Sequence, residues 1–172
     1  MKKAQELIIE WRHGSWISTS PLAFNLAEQK CLGEKIKIKE AKVVYSPYEV
    51  FWLWKKNKAR LIKNGKDLTE KQFLRLIHDK EFWLNWQVFK DLRERGYWVK
   101  SGAKFGAPFR VYKPGDKHSR WLVFPVYESK KLDLHQWISL NRVAHSTNKH
   151  LLLAVVDKEG DVIYYEISWI KP

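Results

Sequence analysis

The chain has 172 residues, of which 45% are hydrophobic and 10 are tryptophan, and this composition excludes a globally disordered protein. Its 32 lysine and arginine residues outnumber 19 aspartate and glutamate residues, and the net charge of +13 favours a polyanionic partner such as nucleic acid. A lone cysteine excludes an intrachain disulfide, and no apolar run approaches the roughly 18 residues of a membrane span, so we expect a cytoplasmic protein that does not act at a membrane.

The first half of the chain alternates short strands with capped helices. Short strands are predicted over residues 5–10, 16–17, 35–39 and 60–63, and the third of these alternates lysine with isoleucine. Helices are expected to begin after three capping residues, Ser20, Ser46 and Thr69. Glu49, three residues after Ser46, predicts a capping box, and Asn64-Gly65 predicts a tight hairpin turn. These elements predict a small mixed α/β N-terminal domain.

The second half begins with a long amphipathic helix, predicted over residues 80–95 and ended by Gly96. Another helix is predicted over 134–143, and strands are predicted over 97–100, 109–112, 121–127, 151–156 and 162–167. The run 121–127 is apolar enough for a central strand. We therefore predict an α+β fold with two domains. Residues 1–86 form a structural and assembly domain, and residues 87–172 form a domain with a mixed β-sheet flanked by helices.

Three residues of the second half stand at the ends of predicted elements, where side chains from different elements converge. Tyr112 ends a strand, His118 follows a Pro-Gly turn, and Lys149 lies between a helix and an apolar strand. RNA cleavage by attack of its 2′-hydroxyl on the adjacent phosphate needs a base, an acid and a cation. His118 is the natural acid because the ordinary pKa of histidine lies near neutrality, and Lys149 is the natural cation. Water is not a reactant in this step, so we expect no metal ion or other cofactor.

The same half contains several ordered motifs. They are the run 97–112 (Tyr-Trp-Val-Lys-Ser-Gly-Ala-Lys-Phe-Gly-Ala-Pro-Phe-Arg-Val-Tyr), His118-Ser119 with Leu122-Val123, the run 142–146 that leads to Lys149, and the run 154–162 with Tyr164-Tyr165. Residues 46–50 add a weaker match in the first half. Together these motifs closely resemble the catalytic domain of archaeal tRNA-splicing endonucleases over residues 97–172. The resemblance implies that the C-terminal domain is nuclease-like.

The resemblance also implies a role for each candidate residue. Tyr112 would act as general base, His118 as general acid and Lys149 as the stabiliser of the transition state. The expected reaction is cleavage of precursor tRNA at intron boundaries within a bulge-helix-bulge. The expected products carry a 2′,3′-cyclic phosphate and a 5′-hydroxyl.

Four further residues are candidates for RNA binding. The family clamps a flipped-out bulge base between an arginine and a second planar side chain, which the resemblance assigns to Arg142 and, as the candidate for the second, Trp169. A tryptophan at this position is equally typical of a core or an interface. Lys104 and Arg110 are expected on a basic rim that contacts phosphate.

The resemblance further implies an oligomer, because family members act as assemblies with two active sites. We expect either a homo-oligomer or a heterotetramer with a second endonuclease subunit. In such assemblies an acidic loop of one subunit docks into a basic groove of another, and Asp157, Glu159 and Asp161 form an acidic loop in this chain. A solvated hairpin turn is an equally good interpretation of these three residues.

Two other functions remain open at this point. Asp116, Glu128 and Lys130 loosely match the acidic pair and lysine that bind magnesium in restriction-type nucleases, and this hypothesis predicts cleavage that EDTA abolishes. A non-catalytic RNA-binding or structural subunit predicts salt-dependent RNA binding without cleavage by any assembly that contains the chain.

Overall fold

The computed structural model describes residues 6–37 and 40–170, and the chain divides into two compact units, Met1–Lys80 and Glu81–Pro172. Each unit contains one mixed β-sheet with helices, so the predicted α+β fold is confirmed. The predicted division after residue 86 lies six residues further along the chain, within a helix of the second unit. Residue 5 of the first predicted strand and residues 38–39 of the third lie outside the described residues.

The first unit contains six strands and three helices in its described residues. In chain order they are β1 (Leu7–Arg12), β2 (Ser15–Ser18), α1 (Pro21–Gln29), β3 (Glu34–Lys37), β4 (Ala41–Tyr45), α2 (Pro47–Lys55), β5 (Ala59–Lys63), β6 (Lys66–Asp67) and α3 (Glu70–Arg75). The strand order across the sheet is β3-β4-β2-β1-β5-β6, and only the pair β1 and β5 is parallel. The sequence patterns did not predict β4, whose partners are β2 and β3.

The helices of this unit begin at the positions that the capping residues predicted. The Ser46 side chain accepts a hydrogen bond from the Glu49 backbone N–H, and the Glu49 carboxylate accepts one from the Ser46 N–H at 2.9 Å, which completes the capping box. Because this pairing satisfies backbone N–H groups that a helix leaves unpaired, it fixes the first turn of α2. The core beneath α2 is aromatic, with the rings of Phe51 and Phe73 stacked at 5.2 Å.

The second unit contains five strands, two α-helices and one 3₁₀ helix in its described residues. In chain order they are α4 (Phe82–Glu94), β7 (Trp98–Ser101), the 3₁₀ helix (Ala103–Phe105), β8 (Phe109–Tyr112), β9 (Trp121–Tyr127), α5 (Leu134–Ser146), β10 (His150–Val156) and β11 (Val162–Ile167). The strand order is β11-β10-β9-β8-β7, so the apolar strand β9 is central, as its sequence predicted. Strands β9 and β10 are parallel and the other neighbours are antiparallel.

The two helices of this unit cover opposite faces of its sheet. Phe89 of α4 contacts Phe109 of β8, with ring centroids 6.0 Å apart, and Phe109 pairs with Val123 of β9. Leu122, the neighbour of Val123, belongs instead to a buried cluster with Ala144 of α5. Because successive side chains of a strand point to opposite faces, α4 and α5 pack on different sides of the sheet.

Candidate active site

Three adjacent strands of the second sheet, β8, β9 and β10, each have one end at the same edge of that sheet. Strand β8 ends at Tyr112, and its antiparallel neighbour β9 begins at Trp121 on that edge. Strand β10 runs parallel to β9 and begins beside it, with His150 paired to Trp121. The sheet therefore brings three segments to one edge: the end of β8 at Tyr112, the loop before β9 that carries His118, and Lys149, which directly precedes β10.

The loop that carries His118 is held at both sides of this residue. The N–H of Asp116 donates to the carbonyl of Lys113 at 3.1 Å, and Gly115 between them has a φ of 88°. A β-turn with a positive φ at its third position favours glycine there. After the turn, Ser119 is buried with only 6% of its surface exposed. His118 is exposed, so the loop presents the imidazole to solvent next to an anchored residue.

The end of α5 determines the position of Lys149. Thr147 is the C-cap of α5, and Asn148 follows with a φ of 54° in the left-handed region. The N–H of Asn148 donates to His145 O at 3.0 Å, and the N–H of Lys149 donates to Ala144 O at 2.8 Å. These two bonds form a Schellman motif, which turns the chain sharply out of the helix. The Nζ of Lys149 then donates to Thr147 O at 3.0 Å, so the ammonium group is held near the helix end.

Positive charge converges around Lys149. The Nζ atoms of Lys149 and Lys104 lie 5.1 Å and 5.0 Å from the ring centroid of Phe105, within the range of a cation–π interaction. Burial lowers the pKa of Lys149, and the charges of Lys104 and Arg110 lower it further. The guanidinium carbon of Arg110 lies 5.7 Å from the centroid of the Tyr112 ring. These groups together form a cationic surface that suits a phosphate.

The tight segment beneath these cations was not predicted from the sequence. A Cβ atom added to Gly102 would lie 2.8 Å from the backbone of Ala107 and Phe109, so only glycine fits there. This close approach packs the 3₁₀ helix against β8, and Phe105 at the end of this helix contacts both lysines. The two glycines at 102 and 106 are the signal that could have indicated it.

The two candidates for the base clamp lie near the last turn of α5. The Trp169 ring is 59% exposed and its centroid lies 5.2 Å from that of His145. Arg142 precedes His145 by three residues and is exposed. Residues three apart on a helix are neighbours on its surface, so Trp169 reaches the turn that carries Arg142.

Residues 6–37 and 40–170 contain no group of three or more His, Cys, Asp or Glu side chains arranged to hold a metal ion, and Asp116 and Glu128 belong to no such group. None of the helices in the described part of the chain has the length and hydropathy that crossing a bilayer requires.

An exposed imidazole, a phenol and several cations at one edge of a mixed sheet have the composition of a site that cleaves nucleic-acid phosphodiesters. Residues 82–164 match the family model described as tRNA intron endonuclease, catalytic C-terminal domain.

Whole-chain comparisons give the same result. The chain is 35% identical to the tRNA-splicing endonuclease of Thermococcus onnurineus over 167 residues, which cover 88% of this chain and 98% of the relative. It is 38% identical to that of Pyrococcus abyssi over 137 residues, 78% of this chain and 81% of the relative. It is 36% identical to that of Methanothermobacter thermautotrophicus, over 79% of this chain and 82% of the relative. The chain belongs to the tRNA-splicing endonuclease family, as its motifs predicted.

Proposed function

We propose that this protein cleaves precursor tRNA at intron boundaries in a bulge-helix-bulge, by attack of a ribose 2′-hydroxyl on the adjacent phosphate and without a metal ion. The observation that supports the proposal is that the segments carrying Tyr112, His118 and Lys149 lie at one edge of the second sheet. The names of the relatives support the substrate, since they are tRNA-splicing endonucleases.

Each step of the reaction has one candidate residue. Tyr112 accepts the proton of the 2′-hydroxyl, and the 2′-oxygen forms a bond to phosphorus. The bond between phosphorus and the 5′-oxygen then breaks, and His118 donates a proton to that oxygen. Lys149 balances the negative charge that accumulates on the phosphoryl oxygens. The products carry a 2′,3′-cyclic phosphate and a 5′-hydroxyl, so protons and bonds balance without water.

The surrounding cations and planar groups are suited to holding the RNA. Lys104 and Arg110 lie close enough to Lys149 to lower its pKa, so a phosphate bound there would contact several positive groups. Arg142 and Trp169 flank the last turn of α5, where an unstacked base would fit between a guanidinium and an indole plane. These residues are the proposed RNA-binding set.

Assembly into a homo-oligomer or a heterotetramer with a second endonuclease subunit is part of the proposal. Strand β11 is the outermost strand on one side of its sheet, and Ile163 and Tyr165 on this strand are each 54% exposed. An uncovered strand edge with apolar side chains favours pairing with another chain. Asp157 and Asp161 close the exposed turn before β11, and this turn is the proposed acidic docking loop.

The test is single-turnover cleavage of a bulge-helix-bulge RNA in excess EDTA, with analysis of the 3′ ends. We expect wild-type protein, in its assembled form, to leave cyclic phosphate. His118→Ala should be slower by about 10²-fold or more, the usual effect of losing a general acid. His135→Ala, which alters an exposed histidine at the other end of α5, and Glu128→Ala should cleave normally.

Three results would contradict the proposal. Cleavage that requires magnesium, or that fails in Glu128→Ala, would support the metal-dependent alternative. Normal cleavage by His118→Ala would mean that the site is wrong. Salt-dependent RNA binding without cleavage by any assembly would favour a non-catalytic subunit.

A further inference from the structure

One carboxylate in the second unit bridges two neighbouring strands. The indole Nε1 of Trp121 donates to Glu166 Oε2 at 2.8 Å, and the imidazole Nδ1 of His150 lies 3.2 Å from Glu166 Oε1. Trp121 is the first residue of β9, His150 is the first residue of β10, and Glu166 lies near the end of β11. The carboxylate therefore connects three strands at the edge that carries the candidate active site.

The two residues that Glu166 holds are next to the catalytic candidates in sequence. Lys149 directly precedes His150, and His118 precedes Trp121 by three residues. The backbone connects the same places, because the N–H of His150 donates to Arg120 O at 2.9 Å. A shift of the Trp121 or His150 side chain would thus move the segments that carry both catalytic candidates.

Trp121 is also the centre of a small packed group. Its ring meets that of Tyr97 edge-on, with centroids 5.6 Å apart and an interplanar angle of 88°. The guanidinium carbon of Arg120 lies 4.9 Å from the indole centroid. The hydrogen bond to Glu166 fixes the orientation of the indole, and the indole in turn fixes Arg120, two residues after His118.

Glu166 lies on the face of the sheet opposite the cationic surface around Lys149. Leu122 points toward α5 and its buried cluster, so Trp121, the preceding residue, points to the other face. Leu152, the register partner of Glu166, alternates with the buried Leu151 and Leu153 in the same way. Glu166 is therefore placed to act through Trp121 and His150, and not by touching the scissile phosphate.

We propose that Glu166 is a positioning residue, which holds the starts of β9 and β10 so that His118 and Lys149 are correctly spaced for cleavage. This inference rests on the proposed function of those two residues. It predicts that loss of the Glu166 carboxylate lowers the rate of the chemical step without weakening RNA binding.

Because the contacts of the Glu166 carboxylate are exposed, their effect on the cleavage rate can be separated from their effect on stability. The side chains of His150 and Glu166 are 48% and 42% exposed, and a polar contact this exposed contributes little to the free energy of unfolding even when both groups are charged. Reaction rates are far more sensitive to geometry, because misplacing a catalytic group by about 1 Å can slow a reaction by about 10²-fold. A positioning role thus predicts a lower kcat with an unchanged Tm, whereas a purely structural role predicts a lower Tm.

The experiment compares Glu166→Ala, Glu166→Gln and Trp121→Phe in the assembled enzyme with a bulge-helix-bulge RNA. For Glu166→Ala we expect kcat to fall by about tenfold, with KM within about twofold of wild type. Glu166→Gln should lie between, because its amide oxygen still accepts the indole N–H. Trp121→Phe keeps a ring but loses the donor, and should resemble Glu166→Ala. Glu128→Ala removes a carboxylate at the opposite end of β9 and should behave as wild type.

The outcomes separate this inference from the proposed function. If Glu166→Ala cleaves like Glu128→Ala while His118→Ala is inactive, Glu166 has no positioning role and the catalytic assignment stands. If kcat falls only together with Tm, the bridge is structural and the inference is wrong. If His118→Ala cleaves normally, the proposed site fails and this inference fails with it.

Discussion

Helices α4 and α5 have the same length and pack on opposite faces of one sheet, yet they bury very different amounts of surface. Each has 13 residues. Eight residues of α4 are buried, including Val88, Phe89 and Leu92, whereas Ala144 is the one buried residue of α5. Leu134 and Ile138 of α5 are largely exposed.

The difference separates the part of the unit that stabilises the fold from the part that is available for contacts. On the α4 face, aromatic and aliphatic side chains fill the space between helix and sheet, as in an ordinary protein core. On the α5 face, the helix end carries Arg142 and positions Lys149. Most side chains along α5 are exposed or only partly buried. We therefore expect substitutions on the two faces to affect different properties, stability on the first and RNA cleavage on the second.

The largest expected effect is on the α4 face. Phe89 is 1% exposed and contacts the rings of Trp86 and Phe109. Phe89→Ala should lower the free energy of unfolding by about 3–5 kcal/mol, because it removes buried apolar surface and leaves a cavity. The matched change on the other helix, Ile138→Ala, should stay within about 0.5 kcal/mol. Urea unfolding measures both, and equal losses would mean that the two faces do not differ as the burial indicates.

The next effect concerns chemistry on the α5 face. Lys149→Ala should reduce the single-turnover cleavage rate by about 10²-fold or more, as when one group that stabilises developing charge is removed. Its Tm should change little, because the ammonium group makes its hydrogen bond to the carbonyl of Thr147 at a partly exposed helix end. Lys131→Ala, which alters an exposed lysine before α5, is the control for loss of positive charge. A Lys149→Ala protein that cleaves at the wild-type rate would remove Lys149 from the proposed mechanism.

The third prediction tests how the helix end positions that lysine. Asn148 has a positive φ, and a β-branched residue there costs about 1–2 kcal/mol. Asn148→Val should therefore lose stability by this amount and also cleave more slowly, because Lys149 would be displaced. Asn148→Gly keeps the left-handed conformation accessible and should retain the activity. If both variants cleave equally well, the Schellman motif does not determine the position of Lys149.

Features that depend on residues close together in the sequence could be predicted from the sequence. The capping box at Ser46 and the apolar run at 121–127 are local signals, and both are confirmed because caps and continuous apolar strands depend little on distant contacts. Strand β4 was missed, since its pairing with β2 and β3 joins segments that no local pattern links.

The residues of the candidate site divide in the same way, into those that the sequence could indicate and those that it could not. Tyr112, His118 and Lys149 could be selected because motifs at fixed spacing resemble a known family, and their catalytic roles stay a prediction. Phe105 and Glu166 could not be selected, because their contacts depend on the fold. Trp121 and Glu166 are 45 residues apart in sequence, and no spacing rule connects an indole to a carboxylate at that distance.

The smallest expected effect concerns the charge of Lys149 itself. Its pKa is lowered by burial first and then by the charges of Lys104 and Arg110. Lys104→Gln removes one of these charges, so the pKa of Lys149 should rise toward its ordinary value of 10.5. NMR titration of ¹³C-methylated lysines measures the change, and Lys158→Gln should leave the Lys149 signal where it is.

The same shift has a consequence for stability. Between the lowered pKa of Lys149 in the folded protein and its higher value in the unfolded chain, the unfolded state binds more protons, so stability rises with pH across this interval. In Lys104→Gln the pKa of Lys149 in the folded protein should be higher, so this pH interval should be narrower. The free energy of unfolding should then begin to rise at a higher pH. If the pKa of Lys149 does not move, burial and Arg110 lower it, and the charge of Lys104 acts too weakly on the ammonium group for the two lysines to share a phosphate. The α5 face would then offer the RNA Lys149 and Arg110 as neighbouring cations, without Lys104.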